Sequence, residues 1–358
     1  MKNVMVTGGA GFIGSNFVRM LIQQRNYNIV VYDLLTYAGN IGNLEELIND
    51  GAIAFVKKDI CKQNEVEEIL EKYDIDTVVN FAAESHVDRS ITGPGQFIKT
   101  NINGTYSLLE SCRKLWSVNQ YSGKHFHHVS TDEVYGSLDL NEPAFKENNQ
   151  YLPNSPYAAS KAASDHLVRA YHHTYGLPVT SSNCSNNYGR YQFPEKLLPL
   201  CLINILYGKS LPIYGKGDQI RDWLHVDDHN SAILKIIENG VKGQVYNIGG
   251  NNEWKNLDVV KALCAIVDKI FMNNPQLREK YPSCPASQGR LSEELITFVQ
   301  DRLGHDTRYA IDATKIGLEL NFYPTIAFKD GLKDMVNWYL ENERWWLSII
   351  DGSYKANG

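Results

Sequence analysis

Along the first 185 residues, short β-branched runs alternate with longer stretches whose apolar residues recur every three or four positions. The runs at 4–7, 28–33, 53–56, 77–81, 126–130 and 179–182 are apolar enough to be buried on both faces, and they predict strands. Between them the helical period predicts helices over 12–24, 64–73, 96–115 and 156–175. This order predicts an α/β fold with a Rossmann-type, doubly wound parallel sheet. Beyond residue 185 the alternation loosens. Pro194, Pro199, Gly208, Pro212, Gly215 and Gly217 cluster there, which predicts a smaller, mixed α/β C-terminal lobe. The expected division is a first domain over 1–185, to which later segments return, and a second mainly over 186–358. Residues 273–289 read as a loop. Residues 331–346 read as a closing amphipathic helix whose Trp338, Trp345 and Trp346 serve packing.

The composition narrows the class. With 358 residues, 43% hydrophobic and 21% charged, the chain is neither disordered nor fibrous. The formal charge is −6 and no run of like charges stands out, so no nucleic-acid partner and no membrane surface are expected. The longest apolar stretch, 197–207, is interrupted by Pro199 and Asn204 and is far short of the ~20 residues of a membrane span. No secretory pattern opens the chain, and six cysteines are scattered without a CxxC pair. Both point to a cytoplasmic protein with reduced thiols.

Gly8, Gly11 and Gly14 follow the first strand and open the first helix. A small-residue turn there lets a pyrophosphate lie against the helix N-terminus, where free N–H groups and the helix dipole favour anions. Asp33 ends the second strand, where a carboxylate can hold ribose hydroxyls and repel a 2′-phosphate. NAD is therefore expected rather than NADP. Tyr157 and Lys161 stand four residues apart on one face of the predicted helix. A nearby ammonium is expected to lower the phenol's pKa and so make a base for a sugar or alcohol hydroxyl. Thr131 lies one element earlier, at a strand's carboxyl end.

Glycine loop, strand-end Ser130-Thr131 and Tyr157-x-x-x-Lys161 together resemble the extended short-chain dehydrogenase/reductases. The resemblance sharpens to the dTDP-glucose 4,6-dehydratase family at Thr131-Asp132-Glu133-Val134-Tyr135-Gly136. It extends through residues 82–90, 183–189 and 221–225 and covers nearly the whole chain. It implies a lyase, active in deoxysugar biosynthesis such as that of rhamnose, that holds NAD tightly and regenerates it each cycle. The C5 proton of a hexose is not acidic until C4 is oxidised to a ketone. The resemblance therefore implies that Tyr157 deprotonates the C4 hydroxyl while hydride leaves to NAD, with Thr131 holding the oxygen. Glu133 then takes the C5 proton, Asp132 protonates the departing C6 hydroxyl, and the hydride returns to C6. Two adjacent carboxyls with opposite duties need different environments.

The resemblance also implies cofactor contacts at Phe12, Ile13, Asp33, Leu34, Leu35, Thr36, Asp59, Ile60, Ala82, Ala83, Ser85, Thr100 and Asn187. Tyr157 and Lys161 join these. For dTDP-glucose it implies Ser85, Thr131, Asn186, Lys196, Leu197, Pro212, Ile213, Tyr214, Arg221 and Asn256, with Asp301, Arg302, Leu303, Gly304 and His305. A homodimer through helices 96–115 and 156–175 is implied as well. His86, His125, His127 and His128 look metal-like, but no acid or cysteine completes a site, and no metal is expected. Leu303, Arg190, His225 and Leu34 depart from the family pattern. Leu303 and Arg190 are placed at the nucleotide end, where Arg190→Ala is expected to change nucleoside preference or substrate KM more than kcat. The competing readings are a 4,6-dehydratase of UDP- or CDP-sugars, a C4-epimerase or decarboxylase on the same scaffold, and a non-catalytic NAD-binding regulator.

Overall fold

The computed structural model describes residues 1–301 and 305–357. Its strands are, in chain order, β1 (Lys2–Thr7), β2 (Tyr27–Asp33), β3 (Ala54–Lys57), β4 (Thr77–Asn80), β5 (His125–Thr131) and β6 (Val179–Cys184). They continue with β7 (Asn186–Tyr188), β8 (Leu211–Tyr214), β9 (Ile220–His225), β10 (Val245–Ile248), β11 (Glu253–Lys255) and β12 (Ile296–Val299). Seven of them form one sheet in the order β10-β6-β5-β4-β1-β2-β3, parallel throughout. The order reverses between β1 and β4, and ligands of doubly wound sheets bind at such a switch point, beyond the strands' carboxyl ends.

Alternate residues of the strands feed two cores. Val4, Val6, Val31 and Val79 pack with Phe17 and Ile233 on one face. Met5, Val30, Val78 and Phe126 pack with Leu108 and Leu109 on the other. A third core, built from Leu202, Leu263, Phe271, Val336 and Trp346, fills the C-terminal lobe. β10 lies far along the chain yet pairs with β6, so the chain returns to the first sheet after building β7 to β9.

Three predicted elements differ from the structure. The helix expected over 96–115 is a short turn Pro94–Phe97, a π-helical stretch Ile98–Gly104 and an α-helix Thr105–Trp116. Apolar spacing cannot tell a wider turn from a regular one over so few residues. The loop expected over 273–289 holds a helix, Pro275–Lys280, because Asn274 caps it by accepting from the Leu277 N–H and Pro275 opens its first turn. The closing helix is two, Phe328–Glu341 and Glu343–Ile350, parted at Asn342. No helix of the described residues is long and apolar enough to cross a membrane.

Candidate active site

A single cleft beyond the carboxyl ends of the sheet collects the glycine loop, the end of β5 and helix Pro156–Tyr175. The glycine loop is tight. Gly8 sits at φ +69°, and a Cβ there would come within 2.6 Å of the Ala82 nitrogen. A Cβ on Gly14 would meet the Gly8 carbonyl at 2.4 Å. Helix Phe12–Gln24 starts at Gly11 with no side-chain cap and no acidic residue in its first turn. Its opening N–H groups are thus left to an anion. Asp33 does not simply wait for a ribose. Its carboxylate accepts from the Ala10 N–H (2.9 Å) and the Leu35 N–H (2.8 Å), so it braces the glycine loop from beneath. Burial pushes its pKa up against those two bonds.

At the other end of the cleft β5 delivers Thr131, whose hydroxyl caps the turn Asp132–Tyr135 by accepting from the Glu133 N–H at 3.3 Å. The same hydroxyl donates to Asp132 Oδ1 (3.3 Å). Asp132 is 2% exposed while its neighbour Glu133 is half-buried. Burial first, then the charges of Glu133 and Asp222, hold the Asp132 carboxyl well above the usual carboxylate range, which favours its protonated form. Its Oδ2 is buried without a hydrogen-bond partner, as are Gln192 Oε1 and Trp223 Nε1 on the same cleft. Orphaned polar atoms around an open cleft fit a polar ligand that completes their bonds.

Ser155 caps helix Pro156–Tyr175 by accepting from the Ala158 N–H (3.0 Å), and Pro156 fixes its first turn. One turn of that helix carries Tyr157 and Lys161, both buried. The expectation that Lys161 brings the phenol's pKa down is not met. Burial, then the negative charge of Glu133, drives Tyr157 well above its ordinary value. Lys161 Nζ instead donates to the Val129 carbonyl (2.8 Å) and lies 3.5 Å from His128 Nε2. Burial lowers its pKa, and Asp165 opposes that. His128 is held neutral, its pKa lowered to about 4 by burial and then by Lys161. Asn80, whose Oδ1 accepts from Thr7, donates to His128 Nδ1, which puts the imidazole proton on Nε2, 3.3 Å from Asp165.

Most of the expected residues line this cleft. Gly8, Gly11, Phe12, Ile13, Gly14, Asp33, Leu34, Thr36, Asp59 and Ile60 lie along one part. Ala82, Ala83, Ser85, Thr100, Thr131, Asp132, Glu133, Tyr157, Lys161, Asn186, Asn187, Lys196 and Leu197 lie along the rest. Leu35 is not among them; it forms the turn after β2 at φ +58°. Pro212, Ile213, Tyr214, Arg221, Asn256, Asp301 and His305 are not on its wall, although Arg221 stands near enough to Asp132 for its charge to favour the carboxylate. Ile213 is 2% exposed in the lobe's core, His305 Nδ1 meets Asp301 Oδ1 at 2.6 Å, and Tyr214 packs edge-on against the His305 ring. Arg221 lies over the Tyr309 ring and donates to the Ile220 and Asp306 carbonyls. Arg302, Leu303 and Gly304 lie outside the described residues.

The sequence reading missed Tyr37, Glu84, Cys184, Gln192 and Trp223 on the cleft wall. Glu84, Cys184 and Trp223 fall inside the motif runs already noted, so position within those runs was the available signal. Arg190 is a correction. It does not line the cleft but donates to Asn16 (3.2 Å) and Asp227 (2.8 Å), joining the first helix to the helix Val226–Asn239. His225 accepts from the Asp227 N–H and so caps that second helix. Of the metal-like histidines, His125 bonds Thr180, His127 bonds Thr180 and Ser182, and His86 lies 3.7 Å from Glu195.

The family model described as GDP-mannose 4,6 dehydratase matches residues 5–335. The dTDP-glucose 4,6-dehydratase of Neisseria meningitidis serogroup B is 51% identical over 358 residues, covering 99% of this chain and 98% of the relative. The crystal structure of the dTDP-glucose 4,6-dehydratase of Bacillus anthracis in complex with NAD superposes with a TM-score of 0.84 at 42% identity, covering 98% of this chain and 100% of that one. A UDP-glucose 4-epimerase of Thermotoga maritima reaches 0.80 at 27% identity, covering 95% of this chain and 99% of that one.

Proposed function

The chain belongs to the dTDP-glucose 4,6-dehydratase family of the extended short-chain dehydrogenase/reductases, and from that premise we propose that it converts dTDP-glucose to dTDP-4-keto-6-deoxyglucose. The observation that carries this is Asp132: a buried carboxyl with one orphaned oxygen, its pKa held up by that burial, directly beside the half-buried Glu133. An epimerase needs the C4 ketone but no acid to expel a C6 hydroxyl, so a preserved acid beside a second carboxyl supports water loss.

The glycine loop and the uncapped helix behind it suit a dinucleotide pyrophosphate, with Asp33, Asp59 and Ile60 toward the adenosine and Tyr157 and Lys161 toward the reacting end. Bound there, NAD supplies a hydride acceptor for C4, a hydride donor for C6 and, between turnovers, a positive charge in the cleft. Tyr157 takes the C4 hydroxyl proton while Thr131 holds that oxygen. Glu133 removes the C5 proton once C4 is a ketone, and Asp132 gives its proton to the departing C6 hydroxyl. Lys161, held by the Val129 carbonyl with Asp165 behind it, supplies the cation that a tyrosinate needs in so dry a place.

The remaining readings follow from the surface and the family. Ile91, Ile98, Tyr106 and Tyr175 are apolar residues 42–46% exposed near and along the helical faces that the family resemblance assigns to a homodimer. Six free cysteines, five of them buried, suit a cytoplasmic protein. The test is to incubate the purified protein, with no added NAD, with dTDP-glucose in D₂O and to follow the sugar by mass spectrometry and NMR. Loss of one water with deuterium at C5 is the expected result, with a sedimentation mass twice that of the chain. An epimerised sugar with no water lost would overturn the reading, and turnover of UDP- or CDP-glucose alone would change the substrate.

A further inference from the structure

Helix Glu343–Ile350 does more than close the C-terminal lobe. Trp346 sinks into that lobe's core, while its neighbour Trp345 lies at the edge of the core and reaches the first domain. The Trp345 indole N–H donates to Asn43 Oδ1 at 2.7 Å. Asn43 is 2% exposed, and its Nδ2 donates in turn to the Ala10 carbonyl at 2.8 Å. An indole only donates and a carbonyl only accepts, so the amide fits one way round and joins the two. Arg19 donates to the Asn43 carbonyl at 2.8 Å, which ties the same residue to helix Phe12–Gln24.

Ala10 sits within the glycine loop. Its carbonyl also accepts from the Asn40 N–H at 3.1 Å. On the other side of the same peptide, the Gly11 N–H donates to the Gly8 carbonyl at 3.1 Å. A peptide is planar, so these bonds fix the plane from which helix Phe12–Gln24 starts. The N–H groups offered to a pyrophosphate follow directly from that plane. Further along the C-terminal segment a second fastening occurs. The Tyr354 hydroxyl donates to the Tyr37 carbonyl at 2.5 Å, and Phe193 packs edge-on to both tyrosine rings. Tyr37 and Phe193 line the cleft.

The geometry points to Trp345 and Asn43 as a latch on the cofactor. Through them the C-terminal segment holds the glycine loop in the shape that grips the dinucleotide, and so slows its release. Both are positioning residues, and neither is on the cleft wall. The inference rests on the NAD-dependent reaction proposed above, and that reaction needs such a hold. The hydride taken from C4 has to come back to C6 of the same sugar. A dinucleotide that left between the two transfers would carry the hydride away.

The test loads the parent, Trp345→Phe, Asn43→Ala and the double variant with radiolabelled NAD. Each is chased with unlabelled NAD, and the label still bound is read by filtration over time. Trp345→Phe keeps an aromatic ring and removes the N–H donor. It should release NAD about three- to tenfold faster than the parent, the share of one hydrogen bond. Asn43→Ala should do at least as much. In the Asn43→Ala background, Trp345→Phe should add nothing, because the route through Asn43 is already cut. Trp345→Phe alone decides the latch if Asn43→Ala does not fold. A merely structural bond would lower the melting temperature of the NAD-free variants and leave release at the parent's rate, which would overturn the latch alone. So would an equal effect of Trp345→Phe with and without Asn43. A parent that binds no NAD would overturn the dinucleotide reading, and the latch with it.

Discussion

The end of β5 and the core of the C-terminal lobe are equally dry and are built to opposite purposes. Trp346, 0% exposed, has its indole N–H donating to the Tyr339 carbonyl at 2.8 Å, and it packs among Leu202, Leu263 and Val336. Around β5 the same dryness falls on groups that resist it. Asp132 keeps an oxygen without a partner, Tyr157 is pushed far up and Lys161 down. Burying an ionisable or unpaired polar group costs stability unless something compensates it. The difference teaches where the fold tolerates that cost: at the carboxyl ends of a sheet whose own cores, and the lobe behind it, hold the strained groups in place.

The largest effect that would sharpen this contrast is at Asp132. Asp132→Asn removes the acid and should slow water loss by about 10²–10⁴-fold, while leaving NAD binding unchanged. The same change should raise the melting temperature of the ligand-free protein at neutral pH. Asp132 has its folded pKa raised above the ordinary value of about 3.8, so its contribution to stability is full only below that value and is lost as pH rises through the folded pKa. Asparagine carries no such loss, so the gain over the parent should grow from acid to neutral pH. A variant with full activity, or one less stable than the parent at every pH, would break the comparison.

Trp346→Ala is the mirror experiment. Emptying so large a buried side chain should cost about 3–5 kcal/mol of stability. Because Trp346 itself does not line the cleft, kcat measured on the folded fraction should stay at the parent's value. Denaturant unfolding and kinetics on the same sample decide it. A fall in kcat with folding intact would mean that the lobe's core sets the geometry of the site as well as its stability.

What the sequence disclosed follows the same line. Strands buried on both faces and the 3.6-residue helices over 12–24 and 156–175 are written as local patterns, and the structure has both helices with those bounds. The π-helical stretch Ile98–Gly104 is not a local pattern. It places Asn101 so that its side chain bonds both the N–H and carbonyl of Glu84 (2.9 and 3.0 Å), a tertiary requirement with no signature in the apolar spacing. In the site, residue types and spacing pointed to Thr131, Tyr157 and Lys161, and the family resemblance added Asp132 and Glu133. What no spacing could give was the state of each group. That the Asp132 carboxyl is held above its usual range depends on burial first, then on Glu133 and on Asp222, ninety residues away, and that Lys161 faces Val129 and His128 depends on how helix Pro156–Tyr175 lies on β5.

Arg190 carries the smallest effect and the most pointed one, because its sequence position had placed it at the nucleotide end. Its guanidinium is 46% exposed, and its partners are Asn16 on the first helix and Asp227 in the first turn of helix Val226–Asn239. Asn16 answers by donating to the Arg190 carbonyl at 3.0 Å, so the contact runs both ways between the two helices that pack side by side under the sheet. An ion pair this open to water is worth about 0.2–1 kcal/mol, and salt screens it. Arg190→Ala should therefore lower stability by no more than that, with the difference shrinking at high salt, and it should leave KM for every nucleotide sugar at the parent's value. A selective change in KM among dTDP-, UDP- and CDP-glucose would return Arg190 to the substrate. It would also mean that the packing of these two helices reaches the cleft, which the separation of strained site from quiet core argues against.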